Sequence, residues 1–203
     1  MYLFFDVETN GLPPKKKGIP PRAWECWPRV VQLGFLVYDK DKKLIKKYNQ
    51  IIKPVDFDIP PDAIKVHGIT KEIALEKGID IVQVLNDFLD ALDSCEYIIC
   101  HNLKFDYNVM LAEYFKNNLT RLSKKKRIKI CTMESTTDFC MVPHKYNSKK
   151  YNSKKYKWPS LNELHFKLFN ELFEDAHDAI ADIEATARCF WRLVDDGFFK
   201  LKD

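Results

Sequence analysis

The sequence predicts an α/β sandwich of three layers, in which helices flank a mixed five-stranded sheet. The order and the periodicity of the apolar runs predict this class. Three apolar or alternating runs with short connections come first, as in an antiparallel meander. Two short apolar runs follow and alternate with segments of helical periodicity, which favours parallel strands. Because 46% of the 203 residues are apolar, we expect one compact domain over residues 1–203.

Each predicted strand is an apolar or alternating run bounded by turn residues. The first three runs form the meander, and residues 39–43, Asp-Lys-Asp-Lys-Lys, are the tight turn between the second and the third. The fourth run is interpreted as an interior strand because all its residues are apolar. In chain order the predicted strands are Tyr2–Val7, Arg29–Tyr38, Leu44–Ile52, Tyr97–Cys100 and Ile128–Cys131.

The helices are predicted from apolar spacing and from one capping signal. Residues 81–92 place apolar side chains at every third or fourth position, as one face of a helix requires. Ser160 and Glu163 form a capping box, which starts another helix. Further helices are predicted over about 71–76, 105–116 and 178–194, whereas 13–28 and 54–67 are predicted to be irregular.

Composition and charge set limits on the function. The net charge of +4 neither requires nor excludes a polyanionic partner. The six cysteines form no Cys-x-x-Cys pair, so reduced thiols are expected. A zinc site at Cys131, Cys140 and His144 is not expected, because the spacing fits no standard pattern. No basic and apolar leader precedes the first strand, and no apolar run approaches the ~20 residues of a membrane span. We expect a soluble cytoplasmic protein without a membrane partner.

Several basic segments stand outside the predicted core. Residues 145–157 contain Tyr-Asn-Ser-Lys-Lys twice in tandem, a low-complexity insertion that is predicted to be a mobile basic loop. Further basic runs lie at 15–17 and 124–127. Such runs hold phosphates in nucleic-acid-binding proteins, with tyrosines as stacking faces, but most charge runs are solvated loops. Both interpretations stay open.

Two carboxylates at the end of the first strand give the clearest chemical signal. Side chains alternate along a strand, so Asp6 and Glu8 point to the same side, about 6 to 7 Å apart. Two acids that face one point repel each other, which favours a raised pKa or a divalent cation between them. The alternative is that the acids only end a strand before the breakers Asn10, Gly11 and Pro13. The pair alone leaves both interpretations open.

Two more acids stand where predicted elements begin. Asp106 lies near the start of a predicted helix, and Asp182 follows His177 by five residues. Five steps along an ideal helix rotate a side chain by about 140°. His177 and Asp182 therefore converge on one point only if His177 lies in the loop before the helix.

These residues resemble the DEDDh branch of the 3′-5′ exonucleases, which has an RNase H-like fold. Segments 28–32, 59–60, 66–70 and 131–132 also resemble the group around the proofreading epsilon subunit of the bacterial replicative polymerase. The resemblance covers nearly the whole chain except residues 13–27 and the tandem repeat. Three motifs carry it, in the expected order: Asp6-Val-Glu8-Thr9, His101-Asn102 with Phe105-Asp106, and His177-x-Ala179-x-x-Asp182.

The resemblance implies phosphodiester hydrolysis by a two-metal mechanism. Cleavage by water needs an attacking hydroxide, neutralised charge and a stabilised leaving oxygen, which two metal ions about 4 Å apart supply. The implied ligands of two Mg²⁺ or Mn²⁺ ions are Asp6, Glu8, Asp106 and Asp182, since hard oxygen ligands suit these metals. His177, with an ordinary pKa near ~6.5, is implied as the general base.

The resemblance also assigns residues to the substrate, with plainer alternatives for some of them. Leu12 is either a wedge at the last base or a buried leucine in a turn. Phe105 is either a substrate-side aromatic or plain core, and His67 either lies near the substrate groove or is a half-buried structural histidine. The implied substrate-binding residues are Thr9, Gly11, Leu12, His67, Asn102 and Phe105.

The preferred function is a metal-dependent 3′-5′ exonuclease that releases nucleoside 5′-monophosphates from single-stranded DNA, as in proofreading or repair. An exoribonuclease is the first alternative, because the five catalytic residues do not distinguish ribose from deoxyribose. A non-catalytic nucleic-acid-binding module is the second, although it has no physical need for four converging carboxylates. A DNA polymerase partner is a third possibility; the end of the chain soon after the last predicted helix favours a free-standing enzyme. The oligomeric state is not predicted.

Overall fold

The computed structural model describes residues 1–12, 15–16, 18–119, 125–144, 156–173 and 179–202. Its strands are β1 (Tyr2–Thr9), β2 (Val30–Tyr38), β3 (Leu44–Ile51), β4 (Tyr97–Cys100) and β5 (Ile128–Cys131). They form one five-stranded sheet in the order β3-β2-β1-β4-β5. The β1–β2 and β2–β3 pairs are antiparallel, whereas the β1–β4 and β4–β5 pairs are parallel. The predicted mixed sheet, a meander followed by parallel strands, is confirmed.

The helices alternate with the parallel strands and continue after them. A short 3-10 helix, Trp24–Cys26, lies in the loop after β1. The helices are α1 (Pro61–His67), α2 (Lys71–Lys77), α3 (Ile81–Ser94), α4 (Leu103–Lys116), α5 (Thr132–Ser135), α6 (Thr137–Cys140), α7 (Leu161–Phe169) and α8 (Ala179–Asp195).

The two faces of the sheet are covered by different helices. On one face, Phe5 packs on Phe88 of α3 with ring centroids 4.9 Å apart, and Met110 of α4 belongs to the same core. On the other face, Phe4 packs on Phe190 of α8 with centroids 5.4 Å apart. Neighbouring residues of a strand point to opposite faces, so β1 contributes to both cores. The predicted three-layer arrangement is therefore confirmed.

The segment 54–67, predicted to be irregular, contains a helix, so that prediction is wrong for Pro61–His67. Pro61 lies in the first turn of α1, where an amide N–H has no intrahelical acceptor and a proline fits. The pair Pro60-Pro61 therefore starts a helix instead of interrupting one. Gly68 ends α1 in the left-handed conformation, with φ of 73°.

Other boundaries differ by a few residues. β1 continues to Thr9 instead of ending at Val7, and α4 starts at Leu103 instead of Phe105. The short helices α5 and α6 were not predicted, because four residues are too few for a periodic pattern. The capping box at the start of α7 is confirmed, with Ser160 and Glu163 each bonded to the other's backbone.

Two further observations bear on the expectations from composition. Every helix in the described part of the chain is too short or too polar to cross a bilayer. All six cysteines carry free thiols, and Cys95, Cys100 and Cys189 are buried.

Candidate active site

Asp6 and Glu8 lie on the α8 side of β1. Phe4, two residues earlier, points to the same side and packs on α8, whereas Val7 is buried in the opposite core. The pairing of β1 with β4 ends at Phe4 and Ile99. The carboxyl half of β1 therefore extends beyond its pairing with β4. Both acids are half-buried and lie in this extension.

Helix α8 brings Asp182 to these acids because β2 carries a glycine where the helix crosses. Gly34 is the β2 partner of Asp6. A Cβ atom on Gly34 would stand 2.6 Å from Cδ1 of Ile183 and 3.4 Å from Cβ of Ala179, both on α8. A residue without a side chain lets the helix lie this close to the sheet. Asp182, in the first turn of α8, reaches the acids of β1 for this reason.

Three carboxylates meet at this point. Asp6, Glu8 and Asp182 each offer one oxygen, and these oxygens all lie within 4.8 Å of one another. Oxygen ligands of one Mg²⁺ lie about 2.0–2.1 Å from the ion and so at most about 4.2 Å apart, which means that a small approach of these side chains lets them share one cation. Within the described ranges, this is the only group of three or more His, Cys, Asp or Glu side chains with such geometry.

The electrostatics of the cluster also fit a cation. Burial raises the pKa of Asp6 well above its ordinary value, and the charges of Asp106, Glu8 and Asp182 raise it further. Carboxylates that repel one another in a partly desolvated position are stabilised by a divalent cation. Because the donors are all carboxylate oxygens, Mg²⁺ or Mn²⁺ fits this site better than a soft metal.

Asp106 stands beside the cluster but is held differently. It lies in the first turn of α4, is 3% exposed, and its Oδ1 accepts a hydrogen bond from the backbone N–H of Val7 at 3.4 Å. Burial raises the pKa of Asp106 to about 8, and the charge of Asp182 contributes. The fourth predicted ligand thus reaches the same end of β1 from the opposite layer.

Asp106 makes the stability of the metal-free protein depend on pH. Its folded-state pKa of about 8 lies above the ordinary 3.8, so the folded chain keeps a proton that the unfolded chain releases. This contribution is complete below pH ~4 and is lost as the pH rises towards 8. We expect the Tm in EDTA to fall across this window. Asp106→Asn should flatten the fall in differential scanning calorimetry, and an equal slope in both proteins would contradict the assignment.

Gly34 provides a test of how α8 is positioned. We expect Gly34→Val to lower stability by about 1–3 kcal/mol, the usual cost of overpacking a core. Since the new side chain meets Ile183 and Ala179, it should also displace Asp182. Mg²⁺ titrations of activity should therefore shift to higher concentration, even where urea unfolding shows the variant to be folded. An unchanged Mg²⁺ dependence would show that the position of Asp182 does not depend on the close approach of α8 to β2.

The turn after β1 is fixed by a residue that sequence reasoning treated only as a breaker. The Asn10 backbone N–H donates to the Arg29 carbonyl at 3.0 Å, and Asn10 Oδ1 accepts from the Arg29 N–H at 2.8 Å. Asn10 Nδ2 donates to the Asp58 carbonyl at 3.0 Å. Thr9 Oγ1 donates to the Gly11 carbonyl at 2.7 Å. Hydrogen bonds thus hold the turn that is predicted to bind the 3′ end of the substrate.

Leu12 and His67 lie at this turn. Leu12 is 87% exposed, so the alternative of a buried leucine is wrong. Burial lowers the pKa of His67, and the adjacent Thr9 backbone partly offsets this. His67 Nδ1 accepts from the Ile69 N–H at 3.1 Å, while its buried Nε2 forms no hydrogen bond of ordinary geometry within the described residues.

The second motif turns sharply between β4 and α4. Asn102 has a left-handed backbone, with φ of 77°, and its side chain makes no capping bond to α4. Phe105 is half-buried against the α3 and α4 core, as its plainer alternative requires. His101 Nδ1 pairs with Thr132 Oγ1 at 3.0 Å and its Nε2 with the Pro159 carbonyl at 3.1 Å. Burial lowers the pKa of His101 to about 4.

A buried ion pair, which sequence reasoning missed, joins the turn after β1 to α4. Glu113, 2% exposed, accepts from Arg29 Nε at 2.7 Å and from the Val30 N–H at 3.1 Å. Arg29 also pairs with Asp56 at 2.6 Å. Glu113 stands two helical turns after Asp106, so both acids lie on one face of α4. The spacing of two acids on an otherwise apolar helix face was the signal from which Glu113 could have been identified in the sequence.

The third motif is only partly described. Asp182 and Ala179 lie in α8, whereas His177 and Asp178 lie outside the described residues, as do residues 145–155 of the tandem repeat. The role of His177 therefore stays a prediction.

A mixed sheet of this order, flanked by helices and with a carboxylate cluster at the end of its central strand, is the arrangement of the RNase H-like fold. Comparison with known protein families identifies the family of this chain. The sequence profile of the exonuclease family matches residues 3–190. The chain belongs to this exonuclease family.

Curated relatives include proteins that are named as DNA polymerase III or as one of its subunits. The chain is 28% identical over 195 residues to the PolC-type DNA polymerase III of Listeria innocua, covering 96% of this chain and 11% of that protein. It is 40% identical over 99 residues to the DNA polymerase III subunit epsilon of Haemophilus influenzae, covering 48% of this chain and 36% of that protein. The chain thus spans about a tenth of the PolC-type relative and about a third of the epsilon subunit.

Solved structures share the fold. Escherichia coli exonuclease I in complex with a dT13 oligonucleotide superposes with a TM-score of 0.69 at 22% identity, covering 96% of this chain and 40% of that one. Exonuclease I of Methylocaldum szegediense gives a TM-score of 0.67, also at 22% identity. These likenesses extend the RNase H-like fold over nearly the whole chain.

Proposed function

We propose that this protein is a 3′-5′ exonuclease that hydrolyses single-stranded DNA and releases nucleoside 5′-monophosphates. The carboxylate cluster of Asp6, Glu8 and Asp182 carries this proposal, because such a cluster needs cations to offset its repulsion. Asp106 completes the ligand set. These four carboxylates would hold two Mg²⁺ or Mn²⁺ ions, which would supply positive charge near the scissile phosphate, the attacking water and the leaving 3′ oxygen.

His177 takes the proton of the attacking water in this proposal. An imidazole with an ordinary pKa near ~6.5 is largely neutral at physiological pH and accepts a proton without prior ionisation. His177 precedes Asp182 by five residues in the sequence, and Asp182 lies in the first turn of α8.

The turn from Thr9 to Leu12 receives the terminal nucleotide. The exposed Leu12 offers an apolar surface to the last base, and the Gly11 backbone permits close approach of the sugar. Asn102, whose side chain α4 does not use as a cap, and His67 supply polar groups near the same end of β1. Phe105 supports the site from the core and is not required to touch the substrate.

DNA is the preferred substrate because of the relatives. The Haemophilus influenzae relative is named a subunit of DNA polymerase III, and the Escherichia coli exonuclease I structure holds a deoxythymidine oligonucleotide. The same names support the proposal of a proofreading or repair role with a DNA polymerase as partner. An exoribonuclease is the alternative, since the cluster itself does not contact the 2′ position.

End-labelled substrates test the proposal. With 5′-labelled single-stranded DNA and Mg²⁺, we expect a ladder of products that shorten one nucleotide at a time. With 3′-labelled DNA, labelled mononucleotide should be the first product. Matched RNA substrates measure the sugar preference. Mononucleotide released first from the 5′ label would reverse the proposed polarity, and faster cleavage of RNA would favour the alternative.

A further inference from the structure

Helix α4 carries two buried acids, and the proposed mechanism uses only the first of them. Asp106 is 3% exposed, and Glu113, seven residues later, is 2% exposed. Seven residues of helix rise about 10 Å, and three residues of strand cover about the same distance. Asp106 accepts from the Val7 N–H, whereas Glu113 bonds to the residues of the β2 side that face Thr9 and Asn10. Helix α4 thus follows the last residues of β1 and meets them at two levels.

The pairing of β1 with β2 is irregular between the carboxylate cluster and the turn after β1. Glu8 pairs with Gln32, whereas Thr9 pairs with Val30, so β2 has one extra residue between them. Such a bulge bends the strand and interrupts the regular ladder of backbone hydrogen bonds, and bulges are common beside active sites. The ladder alone therefore does not hold the turn, and side chains have to support it.

Glu113 supplies this support through Arg29 and Val30. Its Oε1 accepts from the Val30 N–H at 3.1 Å and from Arg29 Nε at 2.7 Å, and its Oε2 accepts from Arg29 Nη2 at 3.3 Å. The Arg29 backbone in turn holds Asn10, because both its N–H and its carbonyl are bonded to that residue. The buried carboxylate is therefore joined to the turn Thr9–Leu12 through a single residue.

Three consecutive residues enclose the same pair from the other side. Arg29 Nη1 pairs with Asp56 at 2.6 Å, and the guanidinium carbon lies 4.7 Å from the centroid of the Phe57 ring. The Asp58 carbonyl accepts from Asn10 Nδ2 at 3.0 Å. Arg29 and Asn10 are thus held at both the backbone and the side chain.

The ion pair of Glu113 and Arg29 has a plain alternative, which is that it only stabilises the fold. A buried ion pair is weak evidence for stability, because the desolvation of both charges offsets most of their attraction. Fixing one arrangement of the chain is its better attested use. Here the bonds of Glu113 end on Arg29 and Val30, directly opposite the residues at which β1 passes into the turn.

We propose that Glu113 is a positioning residue for the turn Thr9–Leu12, the part of the proposed site that receives the 3′-terminal nucleotide. Because Asp106 and Glu113 lie on one helix, α4 sets the distance between that nucleotide and the carboxylates of the cluster. The inference rests on the proposed function, since it assigns a role to a residue behind the same site. Glu113 should therefore affect the binding of the terminal nucleotide and leave the metal requirement unchanged.

A substrate that contains only the terminal nucleotide tests this role. Thymidine 5′-(4-nitrophenyl) phosphate places its thymidine at the turn and releases 4-nitrophenol when water attacks the phosphorus. Glu113→Gln keeps the shape of the side chain and removes its charge. Its KM should rise roughly 10-fold while kcat stays within about 2-fold, because the turn contacts the part of the substrate that does not react. The Mg²⁺ concentration that gives half of the maximal rate should not change. A fall in kcat with an altered Mg²⁺ requirement would show that Glu113 acts through Asp106 instead and would overturn the role.

Two further variants separate positioning from a general loss of stability. Arg29→Lys keeps the positive charge but not the forked guanidinium, so it should also raise KM, and it decides the question if Glu113→Gln does not fold. Asp93→Asn neutralises the partner of another buried arginine, Arg127, which lies before β5 at the amino end of the parallel strands. This control should leave KM near the wild-type value. A wild-type KM in the Glu113 and Arg29 variants, or an equal rise in Asp93→Asn, would overturn the role.

The outcome remains separable from that of the proposed function. If the wild-type protein hydrolyses no substrate, the proposed function fails, and the positioning role is judged by amide hydrogen exchange measured by NMR. The Asn10 amide donates to the Arg29 carbonyl, whereas the Leu36 amide in the middle of β2 reports the opening of the sheet. In Glu113→Gln the ratio of the Asn10 exchange rate to the Leu36 exchange rate should rise roughly 10-fold. An unchanged ratio would overturn the role.

Discussion

Asp6→Asn is expected to lower kcat/KM by roughly 10²–10⁴-fold, because cation charge at a phosphoryl centre is worth several kcal/mol and each 1.36 kcal/mol is tenfold in rate. Asp6 lies at the centre of the cluster, since its pKa responds to Asp106, Glu8 and Asp182. An amide keeps the shape of the side chain and one weak oxygen ligand but removes the charge. The variant should therefore bind Mn²⁺ more weakly in isothermal titration calorimetry. It should also lose most of its turnover.

The same variant should be at least as stable as the wild type when metal is absent. Removing one charge relieves repulsion among half-buried acids, and each kcal/mol regained raises Tm by about 2–4 °C for a chain of this size. Asp62→Asn is the matched control, because Asp62 is an exposed acid in α1 that pairs only with Lys65 among the described residues. A fall in activity together with a large fall in Tm would mean that Asp6 acts through folding instead.

His177→Ala is expected to lower kcat by roughly 10²–10⁴-fold, the usual worth of a general base, while metal and DNA binding stay largely intact. In the wild type, kcat should rise with pH through the histidine pKa near ~6.5, because only the neutral imidazole accepts a proton. The variant should lose this rise. A stopped-flow measurement of single-turnover rates from pH 5.5 to 8 records both effects.

Asp178→Asn is the control for His177→Ala, since it alters the neighbouring residue without touching the imidazole. Its kcat should stay near the wild-type value. Turnover by His177→Ala at the wild-type rate would remove His177 from the mechanism, whereas an equal loss in both variants would point to a disturbed start of α8.

The placement of two carboxylates on one side of β1 was predictable from local periodicity, whereas their chemistry was implied only by the resemblance to the exonuclease family. Strand alternation places Asp6 and Glu8 on one side, and the structure has their oxygens within 4.8 Å of each other and of Asp182. The mixed five-stranded sheet, a meander followed by parallel strands, followed from the apolar runs in the same way. Local patterns sufficed here because each depends on neighbours within one element.

Features that depend on distant parts of the chain were not predictable in this way. Gly34 matters only because α8 crosses β2 at that residue, and Glu113 matters only because Arg29 reaches it. Asn10 resembles any turn residue until Arg29 and Asp58 are placed beside it. Pro61 was misinterpreted for a local reason, since a proline both breaks a helix and starts one.

The most direct measurement is hydrolysis of 5′-labelled single-stranded DNA by wild-type protein and Asp6→Asn, with Mg²⁺, with Mn²⁺ and with EDTA. The account predicts stepwise shortening from the 3′ end by the wild type with either metal, no shortening in EDTA, and almost none by Asp6→Asn under any condition. Shortening that persists in EDTA, or that Asp6→Asn performs at the wild-type rate, would contradict a metal-dependent site at the end of β1.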